Sequence, residues 1–189
     1  MTVSSTFVSG QILTAADANL MANSGLTYIS STTLSGSGQN IEGCFTSTYR
    51  DYRIIVSNGS LSAATDFAYQ LLVGSTATTT GYWWAYTGLS GGGAAANQNG
   101  QNSNPCRTGA SATGAGDTFG LVMDVFAPQV SGSFTFVTSQ ASNFQSDDFR
   151  ARSGGGGINA TTQFTGIKFL SAGGQTMTGT VSIYGYRQP

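Results

Sequence analysis

The segment from Met177 to Tyr186, MTGTVSIYGY, alternates between apolar and polar positions almost to the end of the sequence. A period of two is typical of a β-strand that is buried on one face only. The residues predicted to share the apolar face are Met177, Gly179, Val181, Ile183 and Gly185, and those on the opposite face are Thr178, Thr180, Ser182, Tyr184 and Tyr186. Because such a strand needs a sheet to pair with, we expect the preceding chain to build an antiparallel β-sandwich.

The chain before this segment contains further short runs that are rich in β-branched and aromatic residues. Glycine, asparagine and serine separate these runs, which therefore predict strands joined by turns. The predicted strands are Thr27–Leu34, Asn40–Phe45, Asp51–Ser57, Phe67–Val73, Tyr82–Tyr86, Thr118–Phe126, Gly132–Thr138, Phe164–Leu170 and Met177–Tyr186. Without helices between them, these strands indicate an all-β domain over residues 26–189, either a jelly-roll-like antiparallel sandwich or a barrel.

Three connections are glycine-rich, and we predict long loops at Gly88–Asn104, Thr108–Gly116 and around Gly154–Gly157. The first follows Trp83, Trp84 and Tyr86 and contains Asn97 and Asn99. Aromatic rings beside amides could form a sugar-binding platform, with stacking from the rings and hydrogen bonds from the amides. Alternatively, the rings fill the core or a contact between subunits.

The N-terminal segment contains the only convincing helical pattern. Thr14 is a suitable N-cap, Asp17 follows at the capping-box position, and alanine and leucine dominate up to Asn23. We therefore predict an arm with a short helix over residues 1–25, which either covers the domain's own core or attaches the protein to a partner. The candidate attachment residues are Phe7, Val8, Ile12, Leu13, Ala16 and Leu20.

The low charge of the chain limits the classes of partner that we expect. Charged residues make up 8% of the sequence and the net charge is −1. Nucleic-acid binding needs clustered Lys and Arg, so it is not expected, whereas a nearly neutral surface favours self-association. No apolar run reaches the ~20 residues of a membrane-spanning helix. No signal-peptide pattern opens the sequence, which predicts cytoplasmic synthesis and favours free, buried thiols at Cys44 and Cys106 over a disulfide.

Residues with catalytic potential are few. The sequence has no histidine, which removes Ser-His and Cys-His pairs and imidazole-based zinc sites. Asp147 and Asp148 are adjacent carboxylates, but neighbours on an extended chain point to opposite faces, and Arg150 and Arg152 follow closely. We expect a solvated, charge-balanced loop there, and we predict a protein that is not an enzyme and needs no cofactor or metal.

Three segments resemble parts of small β-rich structural proteins of tailed bacteriophage virions, including phages that infect cyanobacteria. They are FVSGQILTAADAN at Phe7–Asn19, FTSTYRDYRI at Phe45–Ile54 and GTVSIYGY at Gly179–Tyr186. The resemblance implies a virion component, commonly a homotrimer, that attaches through its N-terminal segment to other virion proteins and displays the β domain. It implies either a capsid decoration protein or a tail-fibre or collar appendage. A carbohydrate-binding module that recognises a host surface glycan is the alternative.

Overall fold

A computed structural model describes residues 25–112, 114, 116–145 and 148–187. These residues form thirteen β-strands and no helix. The strands are β1 (Leu26–Thr33), β2 (Gly38–Ile41), β3 (Asp51–Leu61), β4 (Thr65–Val73), β5 (Thr76–Ala77), β6 (Tyr82–Ser90), β7 (Gln98–Ser103), β8 (Cys106–Ala112), β9 (Thr118–Phe126), β10 (Phe136–Gln145), β11 (Asp148–Ile158), β12 (Gly166–Ser171) and β13 (Met177–Tyr186). The helix predicted within the N-terminal arm lies outside the described residues, and the division into arm and sandwich stays a prediction.

The strands form two antiparallel sheets that pack into a sandwich, as the sequence predicts. The larger sheet has eight strands in the order β1-β13-β3-β9-β10-β11-β6-β7. The smaller sheet has five strands, in the order β2-β12-β4-β5 with β8 also paired to β4. The face of the larger sheet that turns away from the smaller sheet is called the outer face below.

The last strand, β13, is paired within a sheet and buried on one face, as its alternating sequence predicts. It pairs with β1 on one side and β3 on the other, so it is an internal strand of the larger sheet. Met177, Val181 and Ile183 are fully buried, which confirms the predicted apolar face. Gly179 lies at a register shift with φ +127°, a conformation that favours glycine.

Aromatic rings from both sheets fill the space between them. Phe67 of the smaller sheet stacks on Phe169 with ring centroids 5.2 Å apart, and it contacts Phe119 of the larger sheet at 5.0 Å. Tyr82 is fully buried, yet its hydroxyl accepts a hydrogen bond from the Leu71 amide at 2.7 Å. This partner offsets the cost of removing a phenol from water, so a tyrosine can serve as a core residue.

The three predicted glycine-rich loops are largely strands, and that prediction is corrected. β6 extends to Ser90, β7 (Gln98–Ser103) and β8 (Cys106–Ala112) follow, and the four glycines at 154–157 lie inside β11, so that residues 91–97 and Asn104 are what remains between strands of the first predicted loop. A Cβ on Gly154 would lie 2.5 Å from the Tyr86 Cβ, and one on Gly156 would lie 2.6 Å from the Cys106 Sγ. These glycines are therefore close-packing positions rather than turn positions.

The boundaries of three other strands also differ from the predictions. The predicted Asn40–Phe45 strand is β2 and ends at Ile41, and the predicted Gly132–Thr138 strand is β10 and begins at Phe136. The predicted Phe164–Leu170 strand is β12 and begins at Gly166. Apolar residues that flank these strands are still buried, as Phe45 and Phe164 show, so apolar composition alone overextends a strand.

Asp148, Arg150 and Arg152, which the sequence predicts to lie in a solvated loop, belong to strand β11. Arg152 lies in β11 with 8% of its surface exposed, and its Nη1 donates hydrogen bonds to the Gly109 carbonyl and the Ser111 hydroxyl. The Asp148 carboxylate instead accepts a hydrogen bond from Arg150 Nε at 3.1 Å, while Asp147 lies outside the described residues. The carbonyl and hydroxyl oxygens accept hydrogen bonds from Nη1 and offset part of the cost of burying the guanidinium, whereas the buried Nε has no partner among the described residues.

Both cysteines are free and buried, which confirms the favoured sequence prediction. Burial raises the pKa of the Cys44 and Cys106 thiols to about 12. Since the thiolate is the reactive form, both side chains act as small apolar core residues.

Candidate functional site

Exposed hydrophobic side chains are concentrated on one side of the molecule. Ten large hydrophobic residues are exposed in the part of the chain that the structure describes, and nine of them lie on or beside the outer face. They are Leu26, Tyr28, Trp83, Leu89, Phe126, Phe134, Phe136, Phe144 and Phe149. The tenth, Val73, ends β4 in the smaller sheet. Large exposed apolar patches are typical of surfaces that contact other molecules.

Three of these residues form a cluster at the end of the β10–β11 hairpin, here called the hairpin cluster. Phe144 and Phe149 are opposite each other in register, with ring centroids 5.3 Å apart. Leu89 of β6 pairs with Ala151, one diagonal position from Phe149 on the same face. Phe144 and Leu89 are each 59% exposed and Phe149 is 43% exposed, so the cluster presents apolar side chains to solvent.

A second group of rings surrounds a glycine at the opposite end of β11. Trp83 of β6 and Phe136 of β10 both pair with Gly157, one from each side. Phe134 adds a third ring, with its centroid 6.4 Å from that of Phe136. These residues and Asn159 line a cleft of about 640 Å³, here called the aromatic slot. The slot exists because Gly157 contributes no side chain between the rings.

Small and polar residues connect the two groups along β11. Its outward-facing positions are Ala151, Ser153, Gly155 and Gly157, flanked by Thr138 and Gln140 of β10 and by Ala85 and Thr87 of β6. Clefts of about 400 Å³ and 660 Å³ adjoin here and share Thr87, Asn97 and Ser153. We call this connection the β11 trough. Arg152 also borders it, but its side chain is turned into the sandwich.

The charges on the outer face neutralise each other. Arg53 donates two hydrogen bonds to the Asp124 carboxylate, from Nε and Nη2, each at 2.8 Å. Tyr186 donates a third at 2.6 Å. The hydrogen bonds from Arg53 lower the pKa of Asp124, whereas burial and the bond to Asp124 raise the pKa of Tyr186 to about 12. This group therefore presents little net charge to a partner.

The predicted sugar-platform residues do not form one surface. Trp84 and Tyr86 point into the sandwich, where their rings stack at 5.7 Å, while Trp83 between them and Tyr82 points outward and is 47% exposed. Trp84 Nε1 donates to the Ser103 hydroxyl, and the Tyr86 hydroxyl donates to Gln98 Oε1, both at 2.7 Å. The prediction that Trp83, Trp84 and Tyr86 share one surface is therefore wrong, because adjacent residues of a strand face opposite sides of the sheet.

The two predicted asparagines, Asn97 and Asn99, are exposed beside the outer face, to which Trp83 also points. Asn97 accepts a hydrogen bond from the Thr87 hydroxyl, and Asn99 pairs with Ala85 in the register of β6 and β7. Both line the cleft of about 400 Å³ in the trough. Glycan binding or a subunit contact at these residues stays a prediction.

Sequence reasoning missed the phenylalanines that, with Trp83, shape the outer face. Phe134 and Phe136 are spaced by two residues, and Phe144 shares the parity of Phe136 in β10. That spacing is a usable signal for a common face, although it does not tell which face is exposed. The candidate attachment residues Phe7, Val8, Ile12, Leu13, Ala16 and Leu20 lie outside the described residues.

No family model, curated protein or solved structure matches the chain. Within residues 25–112, 114, 116–145 and 148–187, no group of three His, Cys, Asp or Glu side chains is placed to share a metal ion. The same residues include no helix with the length and apolar character needed to cross a membrane. The exposed hydrophobic side chains on and beside the outer face make that face the candidate site.

Proposed function

We propose that the protein is a structural component of a tailed-bacteriophage virion, displayed as an oligomer and joined to other virion proteins through its N-terminal segment. The proposed role is not enzymatic and involves no cofactor, nucleic acid or membrane. The observation that carries the proposal is that, among the residues the structure describes, nine of the ten exposed large hydrophobic residues lie on or beside the outer face. The resemblance of three sequence segments to phage virion proteins supports the proposal that the chain belongs to a virion.

A second copy of this chain is the partner that suits the hairpin cluster. Protein interfaces are enriched in aromatic residues and depleted in Lys and Glu, and Phe144 and Phe149 form an aromatic pair in a chain with only 8% charged residues. A symmetric oligomer would bring equivalent clusters together and cover them. In accordance with the resemblance, we propose a homotrimer.

Particle mass tests this proposal. Light scattering of the full chain is expected to give three times the chain mass of 19.4 kDa at micromolar concentration. Phe144→Asp places a charge in the hairpin cluster and should dissociate the oligomer into single chains. The variant should stay folded, because the Phe144 side chain is 59% exposed. Val73→Asp is the matched control: it also replaces an exposed apolar residue, but in the smaller sheet, and should leave the mass unchanged.

Two results would contradict self-association through the hairpin cluster. One is a wild-type mass of a single chain, and the other is an unchanged oligomer in Phe144→Asp. The virion assignment has its own test, which is to detect the chain in purified particles and to locate it by imaging on the capsid or on the tail. Its absence from particles would reject that assignment whatever the mass.

A further inference from the structure

We propose that the β11 trough binds a neutral, linear oligosaccharide and that the aromatic slot holds one of its sugar rings between Trp83 and Phe136. The inference goes beyond the structural role above and does not depend on it. The slot contains no residue of the hairpin cluster, and the trough meets the cluster at Leu89, which lines the larger of the two trough clefts.

The spacing of the slot suits a saturated six-membered ring. Trp83 and Phe136 flank Gly157 from the two neighbouring strands, which places their Cα atoms about 10 Å apart, or two strand spacings. A sugar ring between them would present its C–H faces to aromatic surfaces on both sides. Both rings are about half exposed, so no rearrangement of the core is needed to admit a ligand. Asn159 lines the same cleft, and its side chain carries an amide that could bond a sugar hydroxyl.

The trough continues from the slot with groups that suit further sugar units. From Gly157 to Ala151 it follows six residues of β11, or about 20 Å at the usual strand rise. Hydroxyls and amides line it, from Thr138 and Gln140 on one side and from Thr87 and Asn97 on the other. Such groups donate and accept hydrogen bonds without carrying charge, as sugar hydroxyls do.

The charge distribution favours a neutral sugar over an acidic one. A carboxylate or sulfate group would call for Lys or Arg, yet Arg152 turns inward and Arg150 pairs with Asp148 at the hairpin end. The single lysine of the sequence, Lys168, lies in β12 of the smaller sheet. An acidic sugar would therefore lose its water shell without gaining an ion pair.

The backbone of the trough argues against an extended peptide as the ligand. Peptides that add to a sheet bind through unpaired backbone groups at a strand edge. β11 is an internal strand whose register with β10 and β6 spans almost its whole length. A ligand must therefore bind through side chains and ring faces, which is how aromatic and amide groups take up a sugar.

The test is calorimetric titration with three neutral hexasaccharides, cellohexaose, maltohexaose and mannohexaose, and with hexagalacturonic acid as the acidic comparison. We expect at least one neutral hexasaccharide to bind and the acid to bind at least about tenfold more weakly. Trp83→Ala should weaken binding about tenfold or more, whereas Trp83→Phe, which keeps a ring, should stay within about threefold of wild type. Ser153→Trp should obstruct the trough and weaken binding to a similar degree. Val73→Ala in the smaller sheet should bind as wild type does.

Three outcomes would overturn the inference: no neutral hexasaccharide binds at millimolar concentration, the acid binds as tightly as the neutral sugars, or Trp83→Ala and Ser153→Trp bind as wild type does. Thermal melting of each variant verifies that it is folded. Titration of Phe144→Asp separates this inference from the proposed assembly. Phe149 of the hairpin cluster lies eight residues along β11 from Gly157, or about 26 Å, so a single-chain variant should still bind the sugar.

Discussion

At the residue scale, the Arg53–Asp124 pair links three strands of the larger sheet. Asp124 of β9 accepts hydrogen bonds from Arg53 of β3 and from Tyr186 of β13. The Arg53 guanidinium also lies over the Tyr186 ring, 5.5 Å from its centroid. Because both members of the ion pair are partly exposed, we expect a contribution to stability of about 1 kcal/mol or less.

The pH dependence of this contribution follows from the direction of the pKa shift. The pKa of Asp124 is lower in the folded protein, chiefly through the hydrogen bonds from Arg53, than the value of about 3.9 usual for an unfolded chain. The stabilisation is therefore present above about pH 4 and is lost as the pH falls through the folded pKa. Asp124→Asn should lower the urea midpoint at pH 7, and the difference from wild type should shrink at about pH 2.5. A difference that stays constant over this range would mean that the carboxylate charge is not responsible.

At the element scale, β11 shows how glycines in a strand can serve packing. Gly154 and Gly156 face inward, where Tyr86, Trp84 and Cys106 occupy the space that a side chain would need. On the other face, Gly155 and Gly157 place no side chain in the trough and the slot, and an added Cβ would lie 2.6 Å from the Val137 carbonyl oxygen and 2.9 Å from the Thr135 carbonyl oxygen, respectively. The same run of glycines thus allows close packing of Tyr86, Trp84 and Cys106 on one side and leaves the outer face of the strand without side chains at Gly155 and Gly157.

A pair of alanine substitutions measures this packing. Gly156→Ala places a Cβ 2.6 Å from the Cys106 Sγ and 2.7 Å from the Trp83 carbonyl oxygen, so we expect a loss of about 1–3 kcal/mol, or roughly 2–12 °C in Tm. Gly120→Ala is the matched control in β9 of the same sheet, where an added Cβ meets no atom within 4 Å. It should be neutral or slightly stabilising, because alanine restricts the unfolded chain. Equal Tm changes in the two variants would contradict the packing role of Gly156.

At the scale of the whole molecule, the two apolar groups on the outer face are far enough apart to act separately. The hairpin cluster lies at one end of β11, and the aromatic slot lies about 26 Å away at the other. A displayed oligomer could therefore cover the first group with its own subunits and leave the second open to a glycan. Arranged in this way, one sheet face would serve both assembly and recognition.

Removal of residues 1–23 tests the attachment role of the N-terminal arm. β1 begins at Leu26, and Gly25 before it has φ +110°, which suits a change of chain direction. We expect the truncated chain to keep its β-sheet spectrum and a Tm close to that of the full chain, and to lose co-sedimentation with the virion. Should the truncated chain unfold or aggregate, the arm is part of the domain's core and the attachment role is wrong.

The sequence by itself determined the faces of the strands that are apolar on one side. In β13 and in β3, whose Tyr52, Ile54 and Val56 are all buried, alternation is a local property with a period of two, so the buried side can be read without knowing the neighbours. The sequence also indicated the sandwich class and the free thiols. Each of these inferences depends on residues close together in the chain, or on composition.

Only the tertiary structure decided which residues meet across the sheets. Glycine is compatible with a turn and with a strand, and the Gly154–Gly157 run lies in a strand whose close approach to β6 and to Cys106 leaves no room for side chains at Gly154 and Gly156. Trp83 and Phe136 lie on opposite sides of Gly157 through the register of three strands, and no local pattern encodes that register. The fold class therefore follows from short-range periodicity, whereas the candidate site depends on pairing between strands that are distant in the sequence.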